Sequence, residues 1–209
     1  MRLPAGLAAA ALLLAFAAPA NAREPRHRVR DGETAFTIAW RYSVPWEDIA
    51  ARNRLEPSKP LRAGQELRIP EPRSVRSTAP VAQPMTRFVW PVDGHVRRGF
   101  AAGRRKHDGI DIAAAAGDPV RAITDGRVLF AGFEPQQYGN LVIMDHGHGW
   151  HSAYAHLSRI TVREGARLRA GQRLGEVGRT GRTERDELHF ELRRDNRPFD
   201  PMPFLGKPQ

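Results

Sequence analysis

One segment near the C-terminal end of the chain, Asp186–Leu192, alternates polar and apolar side chains. Because successive side chains of a β-strand point to opposite faces of a sheet, its apolar members, from Leu188 to Leu192, are expected to enter a core. Its polar members are then expected to project from the opposite face into a cleft, and they are Glu187, His189 and Glu191.

Two further segments offer polar side chains that could bind a metal or move a proton. His107 and Asp111 stand four residues apart, and strand spacing predicts that they share the face opposite the isoleucines that follow His107. In the segment from Ser152 to His156, the same spacing predicts that Tyr154 and His156 share one face.

Two imidazoles and one carboxylate form a ligand set that is typical of a catalytic zinc, in which a fourth position stays open for water. The metal lowers the pKa of that water towards neutrality. On spacing alone, the competing interpretation is that His107, Asp111 and His189 are solvated residues on outward faces of strands.

From Arg87 onward, the sequence has the pattern of β-strands, and these strands must position the residues above. Short apolar runs alternate with Gly, Asp and Asn, and no long helical period interrupts them, which predicts an all-β sandwich or barrel. The predicted strands cover residues 88–90, 109–112, 119–123, 126–130, 141–144, 152–155, 174–177 and 188–192.

The N-terminus has the pattern of a secretory signal. Arg2 precedes an apolar run from Ala5 to Ala18, and Ala20–Ala22 provides an A-x-A cleavage site. The run is shorter than the roughly 20 apolar residues that a membrane span needs. We therefore predict a signal peptide over residues 1–22 that is cleaved on export to the periplasm or cell wall.

The sequence has no cysteine, so disulfides, Cys-ligated zinc and a lipid anchor on cysteine are excluded, and we expect no stable membrane anchor. The formal net charge of +10 predicts an anionic partner: nucleic acid, a membrane surface or an acidic polymer such as cell wall. Predicted export argues against nucleic acid. The alternative is that the basic surface serves only solubility.

Residues 27–70 follow the order strand, helix, helix, strand. Thr34 is placed to N-cap the first helix and Pro45 to begin the second. The residues after this unit, 71–86, are rich in proline and small polar side chains, which is typical of a linker. We therefore predict two domains, over residues 27–70 and 87–209.

Residues 27–70 resemble the LysM module in four segments: Val29–Thr34, Ile38–Ala39, Asn53–Leu55 and Leu61–Pro70. The resemblance implies a small α+β (βααβ) module that binds peptidoglycan or other N-acetylglucosamine-containing glycans. It places the glycan groove in the loop after the first strand and the loop after the second helix, over residues 32–36 and 53–57. The implied glycan-binding residues are Gly32, Glu33, Thr34, Phe36, Asn53 and Leu55.

Residues 88–205 resemble the M23 (lysostaphin/LytM-type) zinc peptidases, whose mainly β fold forms a groove that binds wall peptides. The matching motifs are Lys106–Ala113, Gly117–Val120, Asp125–Val128, Tyr138–Asn140, Tyr154–Ser158, Gly171–Gly175 and Leu188–Glu191. The resemblance implies one Zn²⁺ bound by His107, Asp111 and His189, with His156 as a catalytic residue.

The resemblance fails at Glu187, where the family has the first His of its H-x-H motif. Glu187 could act as general base on the metal-bound water, could bind the metal and close the open position, or could mark a catalytically dead site that is retained as a binding surface. The favoured expectation is a zinc metalloendopeptidase that cuts stem peptides or cross-links of peptidoglycan. The alternative is a degenerate LytM-type activator of cell-wall amidases in cell division, with an amidase as partner.

Overall fold

The computed structural model describes residues 24–56, 60–71, 88–102 and 106–205. The predicted signal peptide, Pro57 and almost all of the predicted linker lie outside these residues. Neither of the two helices among the described residues is long and apolar enough to cross a membrane.

The N-terminal module, residues 24–71, is a two-stranded antiparallel sheet packed on two helices. In chain order its elements are β1 (Arg26–Arg28), α1 (Ala35–Tyr42), α2 (Trp46–Asn53) and β2 (Glu66–Arg68). Thr34 caps α1 by accepting a hydrogen bond from the Thr37 backbone N–H, as predicted, and Pro45 precedes α2. The predicted βααβ order is confirmed.

The core of this module is small and apolar. Ile38 and Ile49, one from each helix, are fully buried against Leu67 of β2. Each helix ends where the next residue adopts a left-handed backbone conformation, at Ser43 and Arg54. Their backbone N–H groups then bond to the last free carbonyls of each helix, which stops it.

The C-terminal domain, from residue 88 onward, is built from antiparallel strands, which confirms the mainly β expectation. Its large sheet has the strand order β10-β6-β7-β8-β12-β4-β3, with β13 also paired to β12, and a second sheet has the order β5-β11-β9. The strands are β3 (His95–Arg98), β4 (Ile110–Ala113), β5 (Pro119–Arg121), β6 (Gly126–Glu134), β7 (Gly139–Gly147), β8 (Trp150–Leu157), β9 (Arg159–Ile160), β10 (Arg167–Leu168), β11 (Arg173–Glu176), β12 (Glu187–Arg194) and β13 (Arg197–Phe199).

The large sheet separates an apolar core from a polar face. On one face, Ile110, Ile112, Leu188 and Phe190 are fully buried within the main core, as the alternation predicts. On the opposite face of β12 lie Glu187, His189 and Glu191, and part of that face is covered by the N-terminal module. Glu191 is completely buried beneath the module, so the prediction that it projects into a cleft is wrong.

Two further strand predictions need correction. Phe88 makes only an isolated bridge to Leu205, so residues 88–90 form no strand. Tyr154 does not share a face with His156: it is fully buried in the main core, and its hydroxyl accepts hydrogen bonds from the Ile123 backbone N–H and the Ser152 hydroxyl. The reason is a break in the strand alternation at His156, described below.

Candidate metal centre and groove

Cross-strand pairing brings together two of the predicted ligands. In the register of β12 with β4, His189 lies directly opposite Asp111. His107 reaches the same point from the segment just before β4, where its backbone forms an isolated antiparallel β-bridge with Ala101. Gly109 allows this approach, because a Cβ there would stand 2.2 Å from the carbonyl oxygen of Phe190. Only glycine fits so close to the backbone of β12.

The three predicted ligands form one compact group. His107, Asp111 and His189 are all buried, and each offers a ligand atom within 4.8 Å of the other two. Asp111 Oδ1 lies 3.1 Å from His107 Nε2 and 2.7 Å from His189 Nδ1. Within the described chain, this group does not include Glu187.

The remaining ring nitrogens have hydrogen-bond partners that orient the two imidazoles. His107 Nδ1 lies 2.8 Å from the Gly99 carbonyl oxygen, which can only accept a hydrogen bond. His189 Nε2 lies 3.1 Å from Oε1 of Glu191. The nitrogens left to bind a metal are then His107 Nε2 and His189 Nδ1, the two atoms that face Asp111. Outer partners of this kind orient histidine ligands in zinc sites, so the residues fit a zinc ion.

The charges of the group also suit a cation. Burial raises the pKa of the Asp111 carboxyl, but the hydrogen bonds from His107 and His189 outweigh burial and hold it far below its ordinary value. Burial opposes the charged form of His189, yet Asp111 and Glu191 raise its pKa to about 9. In the metal-free protein both ring nitrogens of His189 are therefore protonated at neutral pH, and a metal would compete with the proton on Nδ1.

His156 reaches the groove through an irregular backbone. Its φ of 65° lies in the left-handed region, and the pairing of β7 with β8 shifts register between Asn140 and Val142. A bulge of this kind re-aims a side chain, so His156 faces the groove although Tyr154 faces the core. Its Nδ1 lies 2.8 Å from the Thr180 carbonyl oxygen, which leaves Nε2 for the groove. Burial and the nearby His189 lower the pKa of His156 to about 4, so it is neutral at pH 7.

Glu187 lies beside the metal-ligand group, but its carboxylate is already bound. It is 4% exposed, and it forms an ion pair with Arg97 of β3 through Oε2. The Thr183 hydroxyl donates a hydrogen bond to Oε1. Sequence reasoning missed Arg97, because β3 is too short and polar to show a strand pattern. Arg97 lies in a four-residue segment between Gly94 and Gly99, and nothing in that segment indicates which residue it pairs with.

An open groove of ≈ 550 Å³ contains this site. The three ligand residues, His156 and Glu187 line it, together with four arginines that the sequence analysis did not single out: Arg97, Arg98, Arg182 and Arg185. Three carboxylates, those of Asp111, Glu184 and Glu187, line the same groove, so the four arginines leave only a small excess of positive charge there.

The residues predicted to bind glycan are dispersed over the N-terminal module. Glu33 is buried, with its carboxylate bonded to His27 Nε2 at 2.7 Å, the Arg30 backbone N–H at 2.8 Å and Arg41. Phe36 packs, half-buried, in the cluster that joins the module to the large sheet. Thr34 is exposed but caps α1, and Gly32 is exposed beside Pro135.

The second predicted glycan loop is more open. The Asn53 side chain links α2 to β2, because its amide donates to the Ile49 and Arg68 carbonyls and its oxygen accepts from the Arg68 N–H. Leu55 is half-buried in the wall of a surface pocket of ≈ 560 Å³. The other residues of that wall are Arg54, Glu56, Pro60, Leu61, Arg62, Ala63 and Gln65.

Comparison with protein families matches both parts of the chain. The LysM domain model matches residues 27–70, and the Peptidase family M23 model matches residues 105–201. The three metal-ligand residues, His156 and Glu187 all fall within the M23 match, and the six residues predicted to bind glycan fall within the LysM match.

Solved M23 structures share the fold of the C-terminal part. A zinc-containing peptidase from Vibrio cholerae is 32% identical with a TM-score of 0.53, covering 56% of this chain and 40% of the other. Lysostaphin from Staphylococcus simulans is 31% identical with a TM-score of 0.51, covering 54% and 49%.

Two similar proteins have names that do not describe a peptidase. The "Murein hydrolase activator NlpD" of Salmonella typhimurium is 39% identical over 62% of this chain, which spans only 34% of that protein. The "Lipoprotein NlpD/LppB homolog" of Pseudomonas aeruginosa is 32% identical over 91% of this chain and 82% of that protein. Because this second match runs through both the LysM and the M23 segments, the chain belongs to the NlpD/LppB family of cell-wall proteins with a LysM domain and an M23 peptidase domain.

Proposed function

We propose that this protein is an exported, peptidoglycan-bound activator of a cell-wall amidase. The observation that carries the proposal is the state of Glu187, which stands where the M23 resemblance requires a histidine. Both of its carboxylate oxygens are bound, one by Arg97 and the other by Thr183. The relatives that are named as murein hydrolase activators support the same function.

The bound carboxylate argues against ordinary catalysis for a physical reason. A general base must accept a proton from the reacting group within hydrogen-bond reach. The Arg97 charge beside Oε2 favours the ionised form of the Glu187 carboxylate and so disfavours proton transfer to it, and the bond from Thr183 to Oε1 holds the side chain in place. The side chain at this position is therefore a structural anchor for the groove wall rather than a proton acceptor.

The groove itself offers a docking surface for an activated partner. Four arginines line this open cleft. Arg97 is paired with Glu187, and Arg98, Arg182 and Arg185 lie in the same lining as the carboxylates of Asp111 and Glu184. Positive residues around a cleft speed the encounter with an acidic partner and fix its orientation. We propose that an acidic segment of the amidase lies in this groove.

The LysM domain would hold the protein on the glycan strands that the amidase attacks. Binding to the same polymer raises the effective concentration of activator and enzyme for each other. The open pocket beside Leu55 is the part of the module best placed to contact sugar, since Glu33 and Phe36 are engaged within the protein.

A second candidate, zinc endopeptidase, is favoured by one specific observation. His107, Asp111 and His189 remain together with ring nitrogens aimed at a common point, and the neutral His156 lies at the groove. A bound zinc ion would supply a Lewis acid and a water of lowered pKa. His156, with its Nε2 free, would then exchange protons or donate a hydrogen bond to the oxyanion.

One experiment separates the two candidates. The zinc-loaded protein without its signal peptide is incubated with isolated sacculi, alone and with a purified wall amidase, and released fragments are identified by mass spectrometry. The proposal expects no release by the protein alone and faster release by the amidase in its presence. Peptide fragments released by the protein alone, and lost in the His189→Ala variant, would contradict it and establish the endopeptidase.

A further inference from the structure

The LysM domain packs directly on the large sheet beside the metal centre. Trp40 of α1 is 3% exposed and lies in an apolar cluster with residues of β6, β7, β8 and the loop before β7. We call this contact the module–sheet interface. Its other buried members are Phe130, Tyr138, Leu141, Ile143, Ala153 and Ala155, and Phe36 lies half-buried at its margin.

A buried arginine joins the two parts of this interface. Arg193 of β12 is completely buried, and its guanidinium carbon lies 4.1 Å from the centroid of the Trp40 ring. Its Nη1 donates to the Trp40 carbonyl oxygen and, at 3.2 Å, to the Ser43 hydroxyl. Its Nε donates to Glu191 Oε2 at 2.7 Å. Arg193 thus binds the LysM domain and a carboxylate of the sheet together.

That carboxylate connects the interface to the metal centre. Glu191 Oε2 also accepts a hydrogen bond from the Trp40 indole Nε1–H at 3.1 Å. Its other oxygen, Oε1, accepts from the Tyr138 hydroxyl at 2.9 Å and lies 3.1 Å from His189 Nε2. Two hydrogen bonds through one buried carboxylate therefore separate Trp40 from a metal-ligand residue.

We propose that the docked LysM domain is part of the outer shell of the metal centre, with Trp40 as a positioning residue that acts on His189 through Glu191. Metal binding and docking of the LysM domain are then coupled: each favours the other. The proposal rests on metal binding by the three-residue group and is independent of whether the protein activates an amidase or cuts peptides.

The coupling has a clear physical basis. A carboxylate that accepts from the second nitrogen of a histidine ligand sets the orientation and basicity of the ring. Trp40 and Arg193 hold Glu191 from the side opposite His189, in a site without water access. Loss of the indole donor leaves Arg193 as the partner of Oε2, and the carboxylate turns towards its remaining donors. By linkage, whatever docking contributes to metal affinity, metal contributes to docking.

The test compares zinc affinity in three single variants of the full mature chain, measured by competition with a chromophoric chelator. Trp40→Phe keeps an aromatic ring in the interface and removes the indole donor together with part of the side-chain volume. Trp46→Phe makes the same change at a tryptophan in the separate core of the LysM domain. Phe36→Leu reduces packing at the margin of the module–sheet interface without removing a hydrogen bond.

We expect Trp40→Phe to raise the zinc Kd about fivefold to tenfold. A direct outer partner of a ligand is typically worth about 10- to 100-fold, and Trp40 acts one bond farther away. Trp46→Phe and Phe36→Leu should leave the Kd within about twofold of the parent value. Substitution with Co²⁺ gives a second readout, because the ligand-field absorption should shift in Trp40→Phe and stay unchanged in the two controls.

Each other outcome overturns a defined part of the proposal. An unchanged Kd and cobalt spectrum in a folded Trp40→Phe variant would show that the indole does not position His189. An equal loss of affinity in Phe36→Leu would assign the effect to packing and not to the hydrogen bond. A parent protein that binds no zinc would remove the metal premise, while leaving amidase activation to be decided by the sacculus assay.

Discussion

The ion pair between Arg97 and Glu187 should contribute measurable stability, and its size can be bounded from burial. The Glu187 side chain is 5% exposed and the Arg97 side chain 31%. Exposed pairs contribute about 0.2–1 kcal/mol, whereas breaking a fully buried pair costs about 3–5 kcal/mol. The pair lies between these limits, so Arg97→Gln should lower the free energy of unfolding by about 1–3 kcal/mol.

A double-mutant cycle checks this value. Glu187→Gln removes the buried charge, so Arg97→Gln should cost much less in its presence than in the parent protein. The coupling energy should be about 1–2 kcal/mol. The free energies are measured by urea unfolding of the parent, the two single variants and the double variant, all in the metal-free state. At about 2–4 °C per kcal/mol for a chain of this length, thermal unfolding provides an independent check.

The cycle also has a clear contrary result. If the two single costs simply add, Arg97 and Glu187 do not interact in solution. Glu187 would then be free to accept a proton, and the argument that its carboxylate is a structural anchor would fail. Asp93 and Arg121 form a matched control pair, because they are bridged at 3.3 Å on a more exposed part of the surface. Their coupling energy should fall below about 1 kcal/mol.

Three further predictions concern the metal, the chemistry and the glycan. Zinc binding at pH 7.5 should release close to one proton, since His189 has a pKa of about 9 in the metal-free protein and must lose its Nδ1 proton. The zinc affinity should therefore rise about tenfold per pH unit and level off near pH 9. Calorimetry in two buffers of different ionisation enthalpy measures the release, and a result of no released proton would contradict the prediction. Glu187→His alone should give little peptide hydrolysis, because it leaves the Arg97 charge unpaired. The double variant Glu187→His/Arg97→Gln should hydrolyse cross-linked muropeptides about 100-fold faster, which is the low end of what a positioned acid or base contributes. Equal activity of the two variants would count against the role of Arg97. Leu55→Asp should weaken co-sedimentation with purified peptidoglycan at least severalfold, because it places a charge in the wall of the open pocket. Ala51→Asp, on the exposed side of α2, is the control. Equal pelleting of the two variants would exclude this pocket from glycan binding.

Local sequence patterns predicted the βααβ order of the N-terminal module and seven strands of the C-terminal domain, but not the short strands β3, β9, β10 and β13. The alternation in Leu188–Leu192 determines which side of β12 enters the core, because a strand has a period of two residues. Thr34 and Pro45 mark the helix starts because capping depends only on nearby backbone groups. His107, Asp111 and His189 could be chosen because the M23 resemblance supplies their positions, and cross-strand register then brings His189 opposite Asp111.

Features that depend on contacts between distant segments were beyond the sequence. The alternation rule failed at His156, where a bulge and a left-handed residue turn the side chain away from the face that spacing predicts. The rule placed Glu191 on the correct face of β12, but it could not show that the LysM domain covers this part of the face and buries the side chain. A polar residue of a strand carries no local sign of what will pack on top of it.

The sequence by itself indicated a LysM unit with its βααβ order, an M23 unit with most of its longer strands, and the residues able to hold a metal. Only the tertiary structure decided what Glu187 does, since its partner Arg97 lies 90 residues earlier in the chain. It also decided that Trp40 bonds to Glu191, 151 residues away. Such partners are chosen by how strands and domains pack, and packing is a property of the whole chain that no short segment specifies.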